Sequence, residues 1–524
     1  MMAVQHNQTL KTFDTYARDV LFAVTGKTSL DGHPAPWVVL DMAFRPEPYA
    51  KKNILYVRNK PFRAEFKELK NIDDAEKQRI IKEGTISLDY WLNPETQSAM
   101  EQIEGASSVK ATAIQQINGA AATLASLIGF PGDGRALDNL AILPPTSAAV
   151  ANGAPWGTTH QLIDAASAAM AAGPAATQPS SFAGYSPETT KNVITAMQSA
   201  GDAWRAGDAT KASAALSQLA DAARDANPSL YPSAAKRKFE LLYNGLYRLT
   251  LPGAMLYFVG FVLFLLAWKS EVRWLYRSAV VFTLLAWVTH AVGIGIRWWL
   301  VENAVGNWFE SIPIKNQFES VLMSAFFGVT IALLLERWKK LGIFGAAAAC
   351  VGMLSLVAIF AAPYVTGRDI GGEIHQNAGI LMTYWLYVHV TMVTASYALI
   401  GMTFVMGLWY CIQYLKNRDA AVLKTIDDCN LVMLQLAFWI LGSGIIAGAM
   451  WADVSWGRPW GWDPKETFAL ITWIVYLIII HIRFVTAGQT RALTTGILSV
   501  VGFGVMLFNW IGVNFFLVGL HSYA

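Results

Sequence analysis

The side chains best suited to chemistry lie in the last third of the chain. Residues 451–468 read Trp-Ala-Asp-Val-Ser-Trp-Gly-Arg-Pro-Trp-Gly-Trp-Asp-Pro-Lys-Glu-Thr-Phe, and we call this stretch the tryptophan segment. The indole rings of Trp451, Trp456, Trp460 and Trp462 offer wide apolar faces and one N–H donor each. Because its glycines and prolines oppose helix formation, the segment is predicted to be a loop. Such a loop suits a flat aromatic ligand, and a macrocycle such as haem is a candidate.

The surroundings of the segment predict a membrane. Of 524 residues, 54% are hydrophobic and 15% are charged, and the apolar ones concentrate after Leu249. We therefore predict an all-α polytopic membrane domain at 241–524, preceded by a mostly helical soluble domain at 1–240. Eight runs reach the roughly 20 apolar residues that a bilayer crossing needs. They lie near 250–268, 278–298, 317–336, 342–362, 384–410, 430–450, 466–485 and 493–520.

The positive charges of the short loops predict the orientation of these spans. Lys and Arg mark the cytoplasmic side of membrane helices. Eleven of them, against five, fall on one set of loops: Lys269, Arg273, Arg277, Arg337, Lys339, Lys340, Lys416, Arg418, Lys424, Arg483 and Arg491, against Arg297, Lys315, Arg368, Arg458 and Lys465. The tryptophan segment and the C-terminus are thus predicted to be extracytoplasmic. A basic cluster at 236–238 together with Arg248 argues for the opposite orientation.

This orientation sorts the histidines by depth. His389 lies near the outer start of the fifth span and His521 at the outer end of the eighth, so both can approach the tryptophan segment. Neutral imidazole is a natural axial ligand of haem iron, and we predict that these two histidines bind the iron from opposite sides. His481 follows Glu466 by roughly 22 Å of helix, which places it on the cytoplasmic side of the seventh span.

Plainer roles compete with these. We expect His290 and His375 to be hydrogen-bonded packing residues rather than ligands. The tryptophans could form an interfacial aromatic belt, although Asp453 and Asp463 fit a belt poorly. The three cysteines form no CxxC, CxxCH or zinc spacing, and the net charge of +3 gives no reason to expect nucleic acid.

The segment from Trp460 to Tyr476 resembles the WWD signature of the haem-handling proteins of cytochrome c biogenesis. Its Asp-Pro-Lys-Glu-Thr continuation is most similar to the CcsA (ResC) branch of System II. Further similarities lie at Arg297-Trp298, at 316–320 and at 385–390. The resemblance covers about 250 to 524.

The resemblance implies a function and a set of site residues. His389 and His521 would bind haem b at the outer site, and Trp451, Trp456, Trp460, Trp462 and Asp463 would hold the edge of the ring. His481 would bind the iron at a membrane site on the route outward. The protein would be a subunit of a cytochrome c synthase, or haem lyase, in the bacterial inner (plasma) membrane.

The resemblance also implies partners. The haem is attached to an apocytochrome c through thioether bonds at CxxCH, and thiol-reducing proteins keep both reactants reduced. Fused CcsBA proteins carry a second membrane-site histidine in the CcsB half. This chain has no apolar span before residue 250, so a CcsB-like (ResB-like) subunit or a missing upstream half would supply it. The alternative is that the membrane site is incomplete here, with His290 as a weak local substitute. Asp463 and Lys465 would either contact the haem propionates or stabilise the loop, and Arg297 and Glu319 are expected to form a structural pair.

Two other functions stay open at this stage. The histidines could hold the permanent haem of an electron-transfer membrane subunit, or the chain could be an accessory homologue without synthase activity.

The first half carries no catalytic spacing. Helical patterns are predicted near 108–128, 159–172, 186–205 and 208–226. Lys11-Thr-Phe-Asp-Thr-Tyr-Ala-Arg-Asp19 resembles the start of the extracytoplasmic domain of some fused CcsBA-type proteins. Export needs a signal, and residues 1–40 show neither a charged n-region nor an apolar h-region. We therefore expect an upstream segment absent from this chain or a misplaced gene start; the alternative is a cytoplasmic first half with an odd number of spans.

Overall fold

The computed structural model describes most of the chain. The described residues are 2–6, 9–68, 74–104, 108–129, 140–151, 154–172, 185–305, 312–314, 316–366, 372, 383–416, 419–513 and 517. Two compact units divide between Leu242 and Tyr243. His521 and His375 lie outside the described residues.

The first unit contains short strands among its helices. The strands are β1 (Ala3–His6), β2 (Thr9–Thr12), β3 (Ser29–Leu30), β4 (His33–Pro34), β5 (Leu55–Tyr56), β6 (Thr85–Ile86), β7 (Ala141–Leu143) and β8 (Gly157–Thr158). They form an antiparallel sheet in the order β2-β1-β7-β8 and the pairs β3-β4 and β5-β6. Strands of two to four residues are too short to show a period in the sequence, and the prediction of a mostly helical domain did not include them.

The helices of this unit include the four that the sequence pattern predicts. They are α1 (Phe13–Thr25), α2 (Ala35–Phe44), α3 (Glu47–Lys51), α4 (Asp74–Glu83), α5 (Leu88–Trp91), α6 (Pro94–Glu104), α7 (Ser108–Ile128), α8 (Ser147–Ala151), α9 (Thr159–Ala172), α10 (Pro187–Arg205), α11 (Ala209–Ala226) and α12 (Ala234–Gly245). Ser186 caps α10 with Pro187 in its first turn, and Asp208 caps α11. Side-chain oxygens at these positions satisfy amides that the first turn leaves without partners.

A buried carboxylate ties α12 to the start of this unit. Glu240 accepts hydrogen bonds from the amide of Thr12, at 2.8 Å, and from the hydroxyls of Thr12 and Thr15. Burial raises the pKa of the Glu240 carboxyl above its ordinary value. Since a buried carboxylate is costly without donors, these three contacts explain how it is accommodated.

The second unit consists of long helices. They are α13 (Thr250–Ser270), α14 (Arg273–Val305), α15 (Gln317–Lys339), α16 (Ile343–Thr366), α17 (Tyr384–Leu415), α18 (Ala420–Trp456), α19 (Pro464–Val485) and α20 (Gly488–Leu507), the last followed by a π-helical turn at Phe508–Gly512. Eight helices of the described chain are long and apolar enough to cross a membrane, which confirms the prediction of eight spans. In the eighth, predicted at 493–520, residues 514–516 and 518–520 lie outside the described residues.

Helix α17 lies at the centre of the bundle. It packs against α15, α18 and α20. At its contact with α20, a Cβ on Gly407 would lie 2.6 Å from the carbonyl oxygen of Gly496, so only glycine permits this approach. Small residues let membrane helices come together closely. The central helix is also the one that carries His389.

Candidate functional site

His389 lies in the second turn of α17 and faces α18. Its Nδ1 is 2.8 Å from the carbonyl oxygen of Gly444. Since a carbonyl oxygen only accepts, Nδ1 is the donor in this contact, and in the neutral imidazole Nε2 then carries the lone pair. A histidine that binds a metal through one nitrogen commonly donates from the other to a carbonyl or carboxylate, which fixes the ring. The backbone of α18 thus holds His389 in the tautomer that a metal ligand needs.

Two glycines of α18 make this contact possible. Gly444-Ile-Ile-Ala-Gly448 is a G-x-x-x-G pattern, and a Cβ on Gly448 would lie 2.6 Å from Cε1 and Nδ1 of His389. A Cβ on Gly444 would lie 2.9 Å from the Val393 side chain of α17. The glycines therefore create the space for the imidazole, and substitution of Gly448 must displace the ring. Our sequence reasoning missed them, although the G-x-x-x-G pattern was available as a signal.

Two tryptophans of the segment lie next to His389. Trp451 is 2% exposed, and its ring is parallel to the His389 ring, with an interplanar angle of 6° and centroids 6.1 Å apart. Trp456 contacts Trp451 edge to face at 4.7 Å. The aromatic surface next to the imidazole is therefore not one plane, because the Trp456 ring is inclined by 64° to the Trp451 ring. Trp460 and Trp462 form a second edge-to-face pair at 5.7 Å, and the Trp462 side chain is 70% exposed.

The prediction that all of residues 451–468 form a loop is wrong at both ends. Helix α18 continues through Trp456, because residues 451–456 contain neither glycine nor proline, and it ends at Gly457 with φ +70°. Helix α19 already begins at Pro464. Proline suits a first helical position because its missing N–H would have no helical acceptor there. Only residues 457–463 are therefore non-helical.

Asp463 has a structural role in this arrangement. It is the N-cap of α19, and its carboxylate accepts the amide of Lys465 at 3.0 Å. Glu466 completes a capping box by accepting the amides of Asp463, at 3.2 Å, and Gly461, at 2.8 Å. Such reciprocal bonds satisfy the orphan donors of a helix start. These contacts stabilise the segment, which is one of the two roles expected for Asp463; contact with the haem stays a prediction.

A cavity of about 190 Å³ lies beside His389. Trp451, Trp456, Pro459 and Trp460 of the tryptophan segment contribute to its lining. Its polar lining includes Tyr397, Lys465, Glu466 and Asn509. Enclosed sites for small molecules usually hold about 300–1,000 Å³. The cavity formed by the described residues therefore suits one edge of a tetrapyrrole rather than the whole ring.

His481 lies near the opposite end of α19 from Asp463. Its side chain is exposed, and its Nδ1 is 2.8 Å from the carbonyl oxygen of Leu477. Two residues on, Arg483 faces the interior of the bundle and forms a bidentate pair with Asp427 of α18, at 2.6 and 2.8 Å. Helix geometry places residues two apart on different faces. The ion pair thus fixes the face of α19 that carries His481.

The remaining predictions concern the other histidines and one ion pair. His290 is buried, with Nε2 3.0 Å from the carbonyl oxygen of Leu322, as a hydrogen-bonded packing residue would be. The expected Arg297–Glu319 pair is present at 2.6 Å, and both side chains are buried. Arg297 also donates to the carbonyl oxygen of Gly372 at 2.9 Å, which connects α14 to the chain that precedes α17.

The chain is similar to known proteins over the second unit. The family described as "Cytochrome C assembly protein" matches residues 314–521. The cytochrome c biogenesis protein CcsA of Prochlorococcus marinus (strain NATL2A) is 31% identical over 262 residues, which cover 43% of this chain and 81% of that protein. The chain belongs to the CcsA family of cytochrome c biogenesis proteins. The resemblance to the CcsA family that the sequence motifs indicated is thereby confirmed.

Other members of the family match with different coverage. CcsA of Mesostigma viride is 29% identical over 249 residues, or 41% of this chain and 79% of that protein. Protein NrfI of Wolinella succinogenes is 31% identical over 307 residues, which cover 56% of this chain but only 32% of NrfI. This chain thus spans about a third of the length of NrfI. The family match includes His389, the tryptophan segment and His481.

Proposed function

We propose that the second unit binds haem at His389 and presents it on the outer face of a bacterial plasma membrane for covalent attachment to an apocytochrome c. The observation that carries the proposal is the His389 ring, held in one tautomer by Gly444 and parallel to Trp451 beside the cavity. Haem b is the cargo and the substrate. His521 is the proposed second axial ligand and remains a prediction.

The small size of the cavity favours transit over permanent binding. A permanent redox haem is expected to be enclosed, as ligands are in pockets that bury 70–90% of their surface. The cavity of about 190 Å³ that the described residues form leaves most of the ring outside it. The exposed edge is then accessible to a second protein. We therefore prefer a presenting subunit to a subunit of an electron-transfer complex.

The chemistry that follows presentation needs positioning more than acid–base catalysis. Each cysteine thiol of a CxxCH motif adds across one haem vinyl group: the sulfur bonds to the carbon next to the ring, and the hydrogen ends on the terminal carbon. No oxidant is consumed, but the thiols must be reduced beforehand by a thiol-reducing protein. A ring held by its iron and one edge supplies the orientation that accelerates such additions.

The exposure of His481 supports a partner subunit. An ionisable side chain on the outer face of a membrane helix is costly unless another group meets it. A CcsB-like subunit with a histidine of its own would satisfy His481 and complete a membrane site for haem on its way outward. This arrangement also gives α19 a haem-binding residue at each of its two ends, through His481 and the tryptophan segment.

The proposal is tested by expressing the full chain, with a CcsB-like partner, in a bacterium that lacks its own cytochrome c maturation proteins. A co-expressed CxxCH reporter should acquire covalent haem with wild-type protein. His389→Ala should lower both bound haem and reporter maturation at least tenfold, whereas His160→Ala, in the first unit, should change neither.

Two outcomes would contradict the proposal. Bound haem without any reporter maturation would support an electron-transfer subunit. The absence of haem from wild-type protein in a haem-replete host would support an accessory homologue.

A further inference from the structure

The His389 cavity has a cationic group in its lining. The ammonium of Lys465 donates to the carbonyl oxygens of Asn509, at 3.2 Å, and Trp510, at 3.0 Å. Both carbonyls belong to the π-helical turn Phe508–Gly512. An ammonium has three donors, so one remains for a ligand. Lys465 is the one Lys or Arg among the described residues that line this cavity.

The side chain of Asn509 adds a second polar group. Asn509 is 0% exposed, its Nδ2 donates to the hydroxyl of Tyr397 at 2.8 Å, and its Oδ1 has no hydrogen-bond partner among the described residues. A buried amide oxygen without a partner is energetically costly. Since a tyrosine hydroxyl both donates and accepts, turning the amide over pairs Oδ1 with Tyr397 and directs Nδ2 elsewhere. The cavity lining, which also includes Lys465, then gains an amide donor in place of the unpartnered oxygen.

Backbone amides engage the acidic group of the lining. Glu466 uses Oε2 to accept the amides of Gly461 and Asp463. An ammonium and an amide N–H in one buried lining are donors suited to a carboxylate. The haem ring carries its two carboxylates on the edge opposite its two vinyl groups. An edge-sized cavity with these donors therefore suits the carboxylate edge.

We propose that Lys465 and Asn509 bind a haem carboxylate and so determine which edge of the ring enters the cavity, with the vinyl edge left facing outward. This inference rests on the proposed function, since it assigns an orientation to the haem held by His389. The vinyl edge is then the one an apocytochrome reaches. The indoles hold the ring face, and the polar pair sets its rotation.

The test compares haem with haem dimethyl ester, which lacks the charges but keeps the iron, the ring and the vinyl groups. Each is titrated into the full chain purified in detergent, and histidine ligation is followed by the Soret band. Wild-type protein should bind haem at least tenfold more tightly than the ester. Asn509→Leu should bring the two affinities within about twofold while the ester still binds through His389.

Two further variants sharpen the comparison. Asn430→Leu is the matched control, because Asn430 is also a buried asparagine, bonded to Ser499 and outside the cavity lining. It should keep the preference for haem. Asn509→Asp places a negative charge beside the haem carboxylate. It should therefore weaken the binding of haem but not the binding of the dimethyl ester.

The outcomes separate this inference from the proposed function. Equal wild-type affinities for haem and its ester, unchanged in Asn509→Leu, would overturn the carboxylate site and leave haem binding at His389 intact. Wild-type protein that binds neither ligand through His389 would overturn the proposed function itself. If the Asn509 variants fail to fold, the wild-type comparison still decides the matter.

Discussion

At the scale of single residues, Gly448 determines where the His389 imidazole can lie. In Gly448→Ala the new Cβ would be 2.6 Å from the ring, closer than carbon atoms can approach. Overpacking of this kind raises the free energy of the protein with His389 in this position by about 1–3 kcal/mol. Haem binding through His389 has to overcome that cost, and since 1.4 kcal/mol is a tenfold change in affinity, we expect haem to bind roughly tenfold more weakly. Haem titration of the purified variant measures the effect.

Gly504→Ala is the matched control for this prediction. Gly504 lies in α20 and has no atom within 4 Å of an added Cβ, so the substitution should leave haem affinity unchanged. Equal affinities for wild-type and Gly448→Ala protein would show that the His389 ring is not constrained as we describe.

Asp463 allows a cap to be distinguished from a haem contact. Asp463→Ala should lower the local stability of the first turn of α19 by about 1 kcal/mol, seen as roughly fivefold faster amide hydrogen exchange. Asp463→Asn keeps an N-cap acceptor but removes the charge, so exchange and haem affinity should stay close to wild type. A large loss of haem affinity in Asp463→Asn with unchanged exchange would instead assign the carboxylate to the ligand.

The sequence predicted some of these residues and missed others for a physical reason. His389 and the tryptophans can be recognised from the sequence because imidazole is a natural ligand of haem iron and indole offers a wide apolar face. Gly444, Tyr397 and Asn509 gain their roles only through neighbours 55 to 112 positions away. The π-helical turn that brings Asn509 into the cavity lining departs from the regular helical period. No spacing in the sequence indicates such a partnership.

At the scale of elements, the long helices were predictable and their ends were not. Runs of about 20 apolar residues identify α13 to α20 because each must satisfy its backbone bonds internally. The continuation of α18 to Trp456 was not predicted, because the tryptophans were assigned to a loop that begins at residue 451. The first residue that ends the helix is Gly457. The short strands of the first unit were missed because two to four residues show no alternation.

A buried ion pair contributes to the orientation of α19. Arg483 and Asp427 are 10% and 6% exposed, so removal of either partner leaves an uncompensated buried charge. Such a loss costs about 3–5 kcal/mol, and we expect Asp427→Ala and Arg483→Ala each to lower the thermal stability of the detergent-solubilised protein markedly. The double variant Asp427→Leu/Arg483→Met should be more stable than either single variant, because no charge is left buried.

An exposed ion pair provides the comparison for this double-mutant test. Asp221 and Arg224 pair at 2.9 Å in the first unit with side chains 61% and 45% exposed. Exposed pairs contribute about 0–1 kcal/mol, so Arg224→Ala should have a small effect. A double variant at Asp427 and Arg483 as unstable as the single ones would mean that the pair contributes more than charge compensation.

At the scale of the whole molecule, the family match covers the second unit and not the first. The family match begins at residue 314, so it describes the second unit and leaves the first without an assigned role. The orientation of the second unit in the membrane decides whether haem is presented to an exported cytochrome. That orientation rests on the excess of Lys and Arg in one set of loops, with the basic cluster at 236–238 as the contrary evidence.

Cysteine labelling tests the orientation directly. Cys350, Cys411 and Cys429 are the native cysteines and are first replaced by serine. Single cysteines are then placed at Arg458, between α18 and α19, and at Gln489, at the start of α20, both of which are exposed.

A membrane-impermeant maleimide should label Arg458→Cys on intact spheroplasts and Gln489→Cys only after permeabilisation, because the predicted orientation places the two ends of α19 on opposite sides of the bilayer. Ser233→Cys reports on the first unit and should follow Arg458→Cys if that unit is extracytoplasmic. Labelling of Gln489→Cys alone on intact spheroplasts would reverse the orientation, place the tryptophan segment in the cytoplasm and remove the basis for presenting haem to an exported apocytochrome.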